Sequence, residues 1–210
     1  MDISEAHRKE LLRFLLLKTA AVRCGVKPGE LLRVRHCYER RNSEGFHFCL
    51  YRKDIFQTLQ LDYLELQVDD KSSLVLFFHP QTLGQVLREP ENQLVLRHFG
   101  YPVEGGLQAM LDYLLQRFAM KKIPHEIGLF IGYPVKDVLG FIQKLPCTPR
   151  HYGMWIVFGD PSESLRRMSL YRKAEQAARN ILDVCGDLQA FFDQLSNYNQ
   201  PTTDRSIARG

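Results

Sequence analysis

The sequence YLELQVDDKSSLVLFFHP, residues 63–80, gives the clearest indication of how this chain folds. In its first half, Leu64, Leu66 and Val68 alternate with polar residues and fall on one face of a strand. The linker DDKSS favours a hairpin turn, because Asp and Ser side chains bond to their own backbone. LVLFF is apolar at every position, which is typical of a strand covered on both faces. The stretch therefore predicts a hairpin whose second strand lies in the middle of a sheet.

Other strands and helices are predicted on both sides of this hairpin. LLRVRHCY (31–38) and FHFCLYR (46–52) are predicted as earlier strands, and MWIVFGD (154–160) as a last one. A helix is predicted before Gly25, another near Asp54 to Leu61, and mostly helical chain between Gln81 and Lys144. These elements predict an α/β fold, with α+β as the alternative, and a mixed sheet of about five strands packed with helices.

Domain organisation follows from the distribution of apolar residues. We expect residues 1–197 to form a single α/β domain, because 210 residues are enough for one large core. Residues 198–210 have almost nothing to bury and are predicted to be a disordered tail.

Composition excludes several classes of protein. The formal charge of +4 is too mild to predict nucleic-acid binding, which needs a clustered basic face. Five cysteines without a C-x-x-C pair or a secretory signal favour the cytoplasm. The one membrane-like run, LLRFLLLKTAAV, is too short to span a bilayer, so no membrane association is predicted. No Walker A loop, G-x-S-x-G elbow or dinucleotide fingerprint is present.

The sequence Gly-Tyr-Pro-Val occurs twice, at residues 100–103 and 132–135. Glycine favours the left-handed position that ends a helix, and proline supplies the fixed φ that begins the next one. The tyrosine between them can pack its ring and keep its hydroxyl in water. We interpret both copies as corners between consecutive helices rather than as a duplicated binding site.

The second copy lies within PHEIGLFIGYPVKDVLGFI, residues 124–142, the most distinctive part of the chain. We interpret this stretch as two short helices joined at a corner. An alternative makes His125 an acid or base in a cleft beside the corner, supported by Glu126, Tyr133 or Asp137. Neighbouring residues on a helix do not face one another, which argues against a direct His125–Glu126 pair. A small ligand could instead bind at the candidate residues His125, Gly128, Gly132, Tyr133 and Trp155.

A third hypothesis places a metal ion or haem on the early strands. His36 and Cys37 lie on one candidate strand, while His47 and Cys49 are two residues apart on the next and would share a face. If the strands pair, these side chains could hold zinc or iron. None of the usual ligand spacings occurs, so we interpret them as half-buried strand residues and predict no particular cofactor.

The central stretch resembles the signature of a bacterial family, domain of unknown function 3793. The matching residues are Pro124, His125, Glu126, Gly128, Gly132, Tyr133, Pro134, Asp137, Val138, Gly140 and Phe141. Three further segments are similar to family segments, namely CGVKPGELLRV, LRHFGYP and HYGMWIVFGD. Ile156 replaces a family lysine, so no role for that lysine is carried over, and Ile123 replaces a phenylalanine. The resemblance implies a bacterial source and a link to iron or redox metabolism, but no reaction.

Together these patterns favour a non-catalytic cytoplasmic protein that binds a small ligand or a protein partner. The enzyme hypothesis based on His125 and the metal or haem hypothesis remain open alternatives.

Overall fold

The computed structural model of the protein describes residues 3–35, 37–38, 46–120, 123–146 and 153–197. The helices within these ranges are α1 (Ile3–Lys18), α2 (Ala20–Arg23), α3 (Phe48–Thr58), α4 (Pro80–Leu87), α5 (Pro90–His98), α6 (Gly106–Ala119), α7 (Ile127–Phe130), α8 (Val135–Ile142), α9 (Ser162–Val184) and α10 (Leu188–Asn197). The strands are β1 (Gly29–Arg35), β2 (Cys37–Tyr38), β3 (Phe46–His47), β4 (Asp62–Val68) and β5 (Ser72–Phe78). Within the same ranges, none of the helices has the length and apolar character needed to cross a bilayer.

The predicted hairpin is formed by β4 and β5, and it belongs to an antiparallel sheet with the order β1-β5-β4. All seven residues of β5 are buried, which confirms that this strand lies in the middle. The turn is stabilised by Asp69, whose Oδ1 accepts hydrogen bonds from the amides of Lys71 and Ser72 at 2.8 and 2.7 Å. The turn therefore forms as the Asp and Ser residues predicted.

The prediction of a mixed sheet of about five strands is wrong, although a combination of helices and strands is confirmed. Among the described residues, the larger sheet has three strands and is antiparallel, and β2 and β3 form a separate two-stranded sheet. The predicted strand FHFCLYR ends at His47 because α3 begins at the next residue, earlier than the predicted helix. Ile55, Phe56 and Leu59 then pack into the core, and this helical packing overrides local strand preference.

The predicted last strand, MWIVFGD, is also absent, since only Ile156 makes an isolated bridge. Val157 and Phe158 are consecutive, yet both are buried, so the segment lacks the alternation of a half-covered strand. Gly159 then turns the chain with a φ of 64°. The segment acts as an irregular connection that leads into α9.

Two hydrophobic cores lie on opposite faces of β5. Val75 and Phe77 point into the first core, which is formed with α1, α2, α3, α9 and α10. Leu74, Leu76 and Phe78 point into the second core, which is formed with α4 to α8. Because side chains alternate along a strand, a fully apolar β5 serves both cores at once.

Both Gly-Tyr-Pro-Val motifs are helix corners, as predicted. Gly100 and Gly132 each have a φ of 82° and follow the ends of α5 and α7. The next amide, that of Tyr101 or Tyr133, donates to the carbonyl five residues earlier, at 3.0 and 2.8 Å respectively. This pattern is the Schellman motif, which satisfies helix carbonyls that would otherwise lack partners. We call the corner at residues 100–103 the first corner and that at 132–135 the second corner.

Candidate functional site

A cavity of about 300 Å³ opens beside the second corner. Its lining includes the aliphatic residues Ile127, Ile131, Val138 and Ile156 and the aromatic residues Tyr133, Phe141 and Trp155. Trp155 belongs to the first core, whereas Ile127 and Val138 belong to the second. The cavity therefore lies where the two cores meet, a common location for small-molecule sites.

Two of the aromatic rings that line the cavity form a stacked pair. The rings of Tyr133 and Trp155 lie 4.4 Å apart with an interplanar angle of 23°. Burial raises the pKa of Tyr133, and the nearby carboxylate of Glu30 raises it further. Among the described residues, the Tyr133 hydroxyl has no hydrogen-bond partner. The pair presents the cavity with a flat, polarisable surface.

Asp137 holds Trp155 in place. Its Oδ2 accepts hydrogen bonds from Trp155 Nε1 and Ser164 Oγ at 2.8 and 2.6 Å. Its Oδ1 accepts from the Phe158 amide and Lys136 Nζ at 2.9 and 2.7 Å. Burial alone would raise the pKa of Asp137, but the hydrogen bonds from Lys136, Phe158, Ser164 and Trp155 outweigh it and lower the pKa. This carboxylate is committed to joining α8, the connection before α9, and α9 itself.

Glu126 is equally buried, with 1% of its surface exposed, but it serves the first corner. Its Oε1 accepts from Arg117 Nε at 2.9 Å and from the Tyr101 hydroxyl at 3.3 Å. Burial and then the charge of Glu126 raise the pKa of Tyr101. Glu126 thus connects α6 to the first corner, and although it is the N-cap residue of α7, its carboxylate makes no capping hydrogen bond.

His125 lies exposed at the mouth of the cavity. Its ring contacts Phe141 edge-on, with 4.9 Å between centroids and an interplanar angle of 78°. In the part of the chain that the structure describes, neither imidazole nitrogen has a hydrogen-bond partner. His125 also borders a second hollow of about 290 Å³, which Glu126 and Arg117 line as well. No hydrogen bond joins His125 to Glu126 within the described residues, so the two side chains have separate roles.

The structure brings most of the sequence-predicted site residues to the cavity wall. The predicted residues found there are His125, Gly128, Tyr133, Asp137 and Trp155. Two predicted residues do not line the cavity, since Glu126 borders the second hollow and Gly132 packs against Pro28 and Tyr171. The Gly132 carbonyl accepts from the Tyr171 hydroxyl at 3.0 Å.

Gly128 and Gly132 both lie at positions where the side chain of another residue would not fit. A Cβ on Gly128 would lie 2.7 Å from Val138 Cγ2, which lines the cavity. A Cβ on Gly132 would lie 2.5 Å from the Tyr171 hydroxyl and 2.7 Å from Pro28 Cδ. Both contacts are shorter than side chains tolerate, so glycine at these two positions permits close packing of the neighbouring residues.

Sequence reasoning missed the residues that fix the two carboxylates. Lys136 and Ser164 are 28 positions apart and are hydrogen-bonded at 2.8 Å. Arg117 lies on the amphipathic helix α6, where its position resembles that of any solvent-facing charge. No spacing rule in the sequence pairs such residues, although a charged residue inside an otherwise apolar motif, as at Asp137, indicates a buried partner.

The proposed metal ligands are only partly covered by the structure. His36 lies outside the described residues, and the side chains of Cys37, His47 and Cys49 are also undescribed. Cys37 pairs with His47 across β2 and β3, but Cys49 lies in α3. The expectation that His47 and Cys49 share a strand face is therefore wrong. Elsewhere in the described ranges, no group of three or more potential ligands is close enough to hold a metal ion.

Comparisons with known proteins identify a family. No curated protein and no solved structure is significantly similar to the chain. The family model described as Protein of unknown function (DUF3793) matches residues 15–191, a span that includes the whole cavity wall. The resemblance seen in the central stretch is confirmed. Because the match covers most of its length, the chain belongs to the DUF3793 family of proteins of unknown function.

Proposed function

We propose that the protein binds a small, largely apolar molecule in the cavity beside the second corner, without catalysing a reaction. The observation that carries this proposal is a cavity lined mainly by four aliphatic side chains and three aromatic rings. Its volume of about 300 Å³ lies at the lower end of the range for ligand pockets, roughly 300–1,000 Å³. The ligand therefore has the size of one or two rings.

Binding is better supported than catalysis because of the carboxylates. A histidine that acts as an acid or base commonly needs a partner that orients it. Asp137 accepts hydrogen bonds from four donors, and Glu126 accepts from Arg117 and Tyr101. Neither carboxylate hydrogen-bonds to His125 in the described part of the chain. His125 can thus contact a ligand, but neither of these carboxylates orients its imidazole for acid or base catalysis.

The remaining expectations are supported by the sequence alone and stay proposals. We keep the cytoplasm as the proposed location, since the five cysteines of the sequence include no C-x-x-C pair. A single domain over residues 1–197, a protein partner, and a link to iron or redox metabolism also stay predictions. Metal analysis and a visible spectrum of the purified protein test the metal or haem hypothesis, which blank results in both would contradict.

The proposed cavity can be tested directly by methyl NMR with toluene as the probe. Toluene should shift the methyl resonances of Ile127, Ile131 and Ile156, which line the cavity. Ile55 is the internal control, because it is 1% exposed in the first core and does not line the cavity. Saturable shifts confined to the cavity residues would support the proposal, and their absence at toluene saturation would contradict it.

Two matched variants locate the binding. Ile156→Phe should fill the cavity and abolish the toluene shifts of Ile127 and Ile131. Ile142→Phe is the control, because Ile142 is also half-buried but lines the second hollow. Equal loss of binding in both variants would show that toluene does not occupy the cavity specifically. Circular dichroism of both variants establishes that each retains its fold.

A further inference from the structure

We infer that the ligand is a small aromatic compound with one polar substituent, which forms a hydrogen bond with His125. This inference rests on the proposed function and names the class of ligand that the cavity accepts. It adds a chemical requirement, since an apolar cavity alone would accept any hydrocarbon of suitable size.

Few polar groups in the cavity wall can still form a hydrogen bond with a ligand. Asp137 and Trp155 line the cavity, but they bond to one another at 2.8 Å. Asp137 also accepts from three further donors, so its oxygens are saturated. His125 stands at the mouth with both imidazole nitrogens unpaired in the described ranges. One polar side chain at one end of an apolar cavity suits a ligand with one polar substituent.

Tyr133 is the alternative polar partner, because its hydroxyl also lacks a described partner. Tyr133 lines the cavity and also borders a separate polar hollow of about 190 Å³. Lys136 and Arg167 line this hollow as well. The Tyr133 ring, however, is engaged in the stack with Trp155. The Tyr133 hydroxyl also lies within the influence of the Glu30 carboxylate, which does not line the cavity, so His125 is the better candidate.

The cavity wall favours an aromatic ligand because it contains several aromatic rings. The stacked Tyr133–Trp155 pair and Phe141 together supply three rings around one volume of about 300 Å³. Aromatic pairs in offset-stacked or edge-to-face arrangements are stabilised beyond the area they bury. A planar ring therefore gains more from this wall than a puckered aliphatic ring of similar size.

Three probes separate these requirements. Phenol has both features, toluene lacks the hydrogen-bonding group, and cyclohexanol keeps the hydroxyl but lacks the aromatic ring. Trp155 is the only tryptophan in the chain, so its fluorescence reports on the cavity wall without background from elsewhere. Binding of each probe is followed by titration of this fluorescence, with the isoleucine methyl shifts as confirmation of the location.

Variants at His125 test the hydrogen bond. His125→Ala should weaken phenol binding about fivefold, as expected for the loss of one net hydrogen bond, and change toluene binding less than about twofold. His125→Phe should have the same effect while keeping a ring against Phe141, which covers the case in which His125→Ala disturbs the fold. Tyr133→Phe keeps the stacked ring and removes only the hydroxyl, so any effect that it has should be the same for phenol as for toluene.

His98 provides the matched control. It is exposed like His125 and contacts Phe99 edge-on, with 5.3 Å between centroids and an interplanar angle of 86°. His98→Ala should affect neither phenol nor toluene. The same fivefold loss in His98→Ala would show that the effect is not specific to the site.

The outcomes that overturn the inference differ from those that overturn the proposed function. If toluene binds but His125→Ala and His125→Phe weaken phenol no more than toluene, the hydrogen bond is disproved and the cavity proposal stands. If Tyr133→Phe alone weakens phenol, the assignment to His125 is wrong. If cyclohexanol binds as tightly as phenol, the aromatic class is wrong. If none of the three probes binds, both proposals fail.

Discussion

The two Gly-Tyr-Pro-Val corners share a backbone geometry but differ in what surrounds the tyrosine. At the first corner, Tyr101 is 3% exposed, packs edge-on against Tyr113 and donates to Glu126. At the second corner, Tyr133 is half-buried and stacks on Trp155 beside the cavity. The motif therefore determines how the chain turns, and the residues around it determine whether a cavity remains.

Each corner is associated with a different buried carboxylate. Glu126 joins the first corner to α6 through Arg117, whose side chain is 29% exposed. Asp137 lies in the first turn of α8 and binds four donors around the second corner. The second corner is thus held by more bonds than the first, although it leaves space beside it. A cavity persists there because its walls are fixed and cannot collapse into it.

Replacement of the two carboxylates by alanine should give the largest difference between the corners. Asp137→Ala leaves the ammonium of Lys136 and three buried donors without their acceptor, so we expect a loss of about 3–5 kcal/mol in the free energy of unfolding. Glu126→Ala should cost less, about 1–3 kcal/mol, because Arg117 can regain water. Urea denaturation measures both values.

A surface aspartate is the control for these alanine variants. Asp183 pairs with Arg13 at the surface, where 57% of its side chain is exposed, and Asp183→Ala should change stability by less than about 1 kcal/mol. A cost for Asp137→Ala no larger than this would show that the network does not hold the second corner.

Alanine at the two corner glycines should give the next largest difference. Both positions have a φ of 82°, and that backbone conformation alone costs alanine about 1–2 kcal/mol. At Gly132 the added Cβ also meets Pro28 at 2.7 Å, whereas at Gly100 it meets only the movable end of Tyr113 at 2.8 Å. We expect Gly132→Ala to cost about 2–4 kcal/mol by overpacking and Gly100→Ala about 1–2 kcal/mol. Thermal unfolding of both variants measures the gap, and equal losses would contradict the difference in packing.

Removal of the tyrosine hydroxyls should have a smaller effect. Tyr101→Phe deletes a buried hydrogen bond to Glu126 and should lower the free energy of unfolding by about 1 kcal/mol. Tyr133→Phe should change stability by less than about 0.5 kcal/mol, because its hydroxyl has no partner among the described residues. Chemical denaturation of the pair distinguishes them, and a larger loss in Tyr133→Phe would reverse the assignment of the two environments.

Acid should produce the smallest of these effects, by removing part of the stabilisation that the Asp137 carboxylate gives to the second corner. The folded pKa of Asp137 lies below its ordinary value of 3.8, so its carboxylate stabilises the protein fully above that value. The stabilisation is lost as the pH falls through the lower folded pKa. The stability difference between the natural protein and Asp137→Asn should therefore be constant above about pH 5 and shrink below about pH 4. A difference that grows in acid would contradict the assigned direction.

The sequence predicted local structure well wherever a short-range signal decided it. Asp69 and the apolar run of β5 specified the hairpin, and the two glycines at positions 100 and 132 specified the corners. The strand near Phe48 was wrong because aromatic and apolar residues suit either a strand or a buried helix, and tertiary packing made the choice. The number of strands in the sheet depended on that error and on the segment around Val157.

The candidate site was predictable in part for the same reason. His125, Gly128 and Tyr133 stood out in a distinctive stretch, Trp155 stood out as the one tryptophan of the sequence, and the fold brings all four to one cavity. The role of Asp137 was not predictable, since its donors come from residues as distant as Ser164. Long-range hydrogen bonds leave no periodic signal in a single sequence.

The arrangement of the two cores also bears on the order in which they can close during synthesis. The helices of the second core follow β5 directly, so its components are all present once α8 has emerged from the ribosome. The first core needs α9 and α10, which include Met168 and Phe191, and these helices are synthesised after α8. The apolar faces of α1 and α3 consequently wait for nearly the whole chain, and during that interval a chaperone would find its binding surface on this half of the nascent protein.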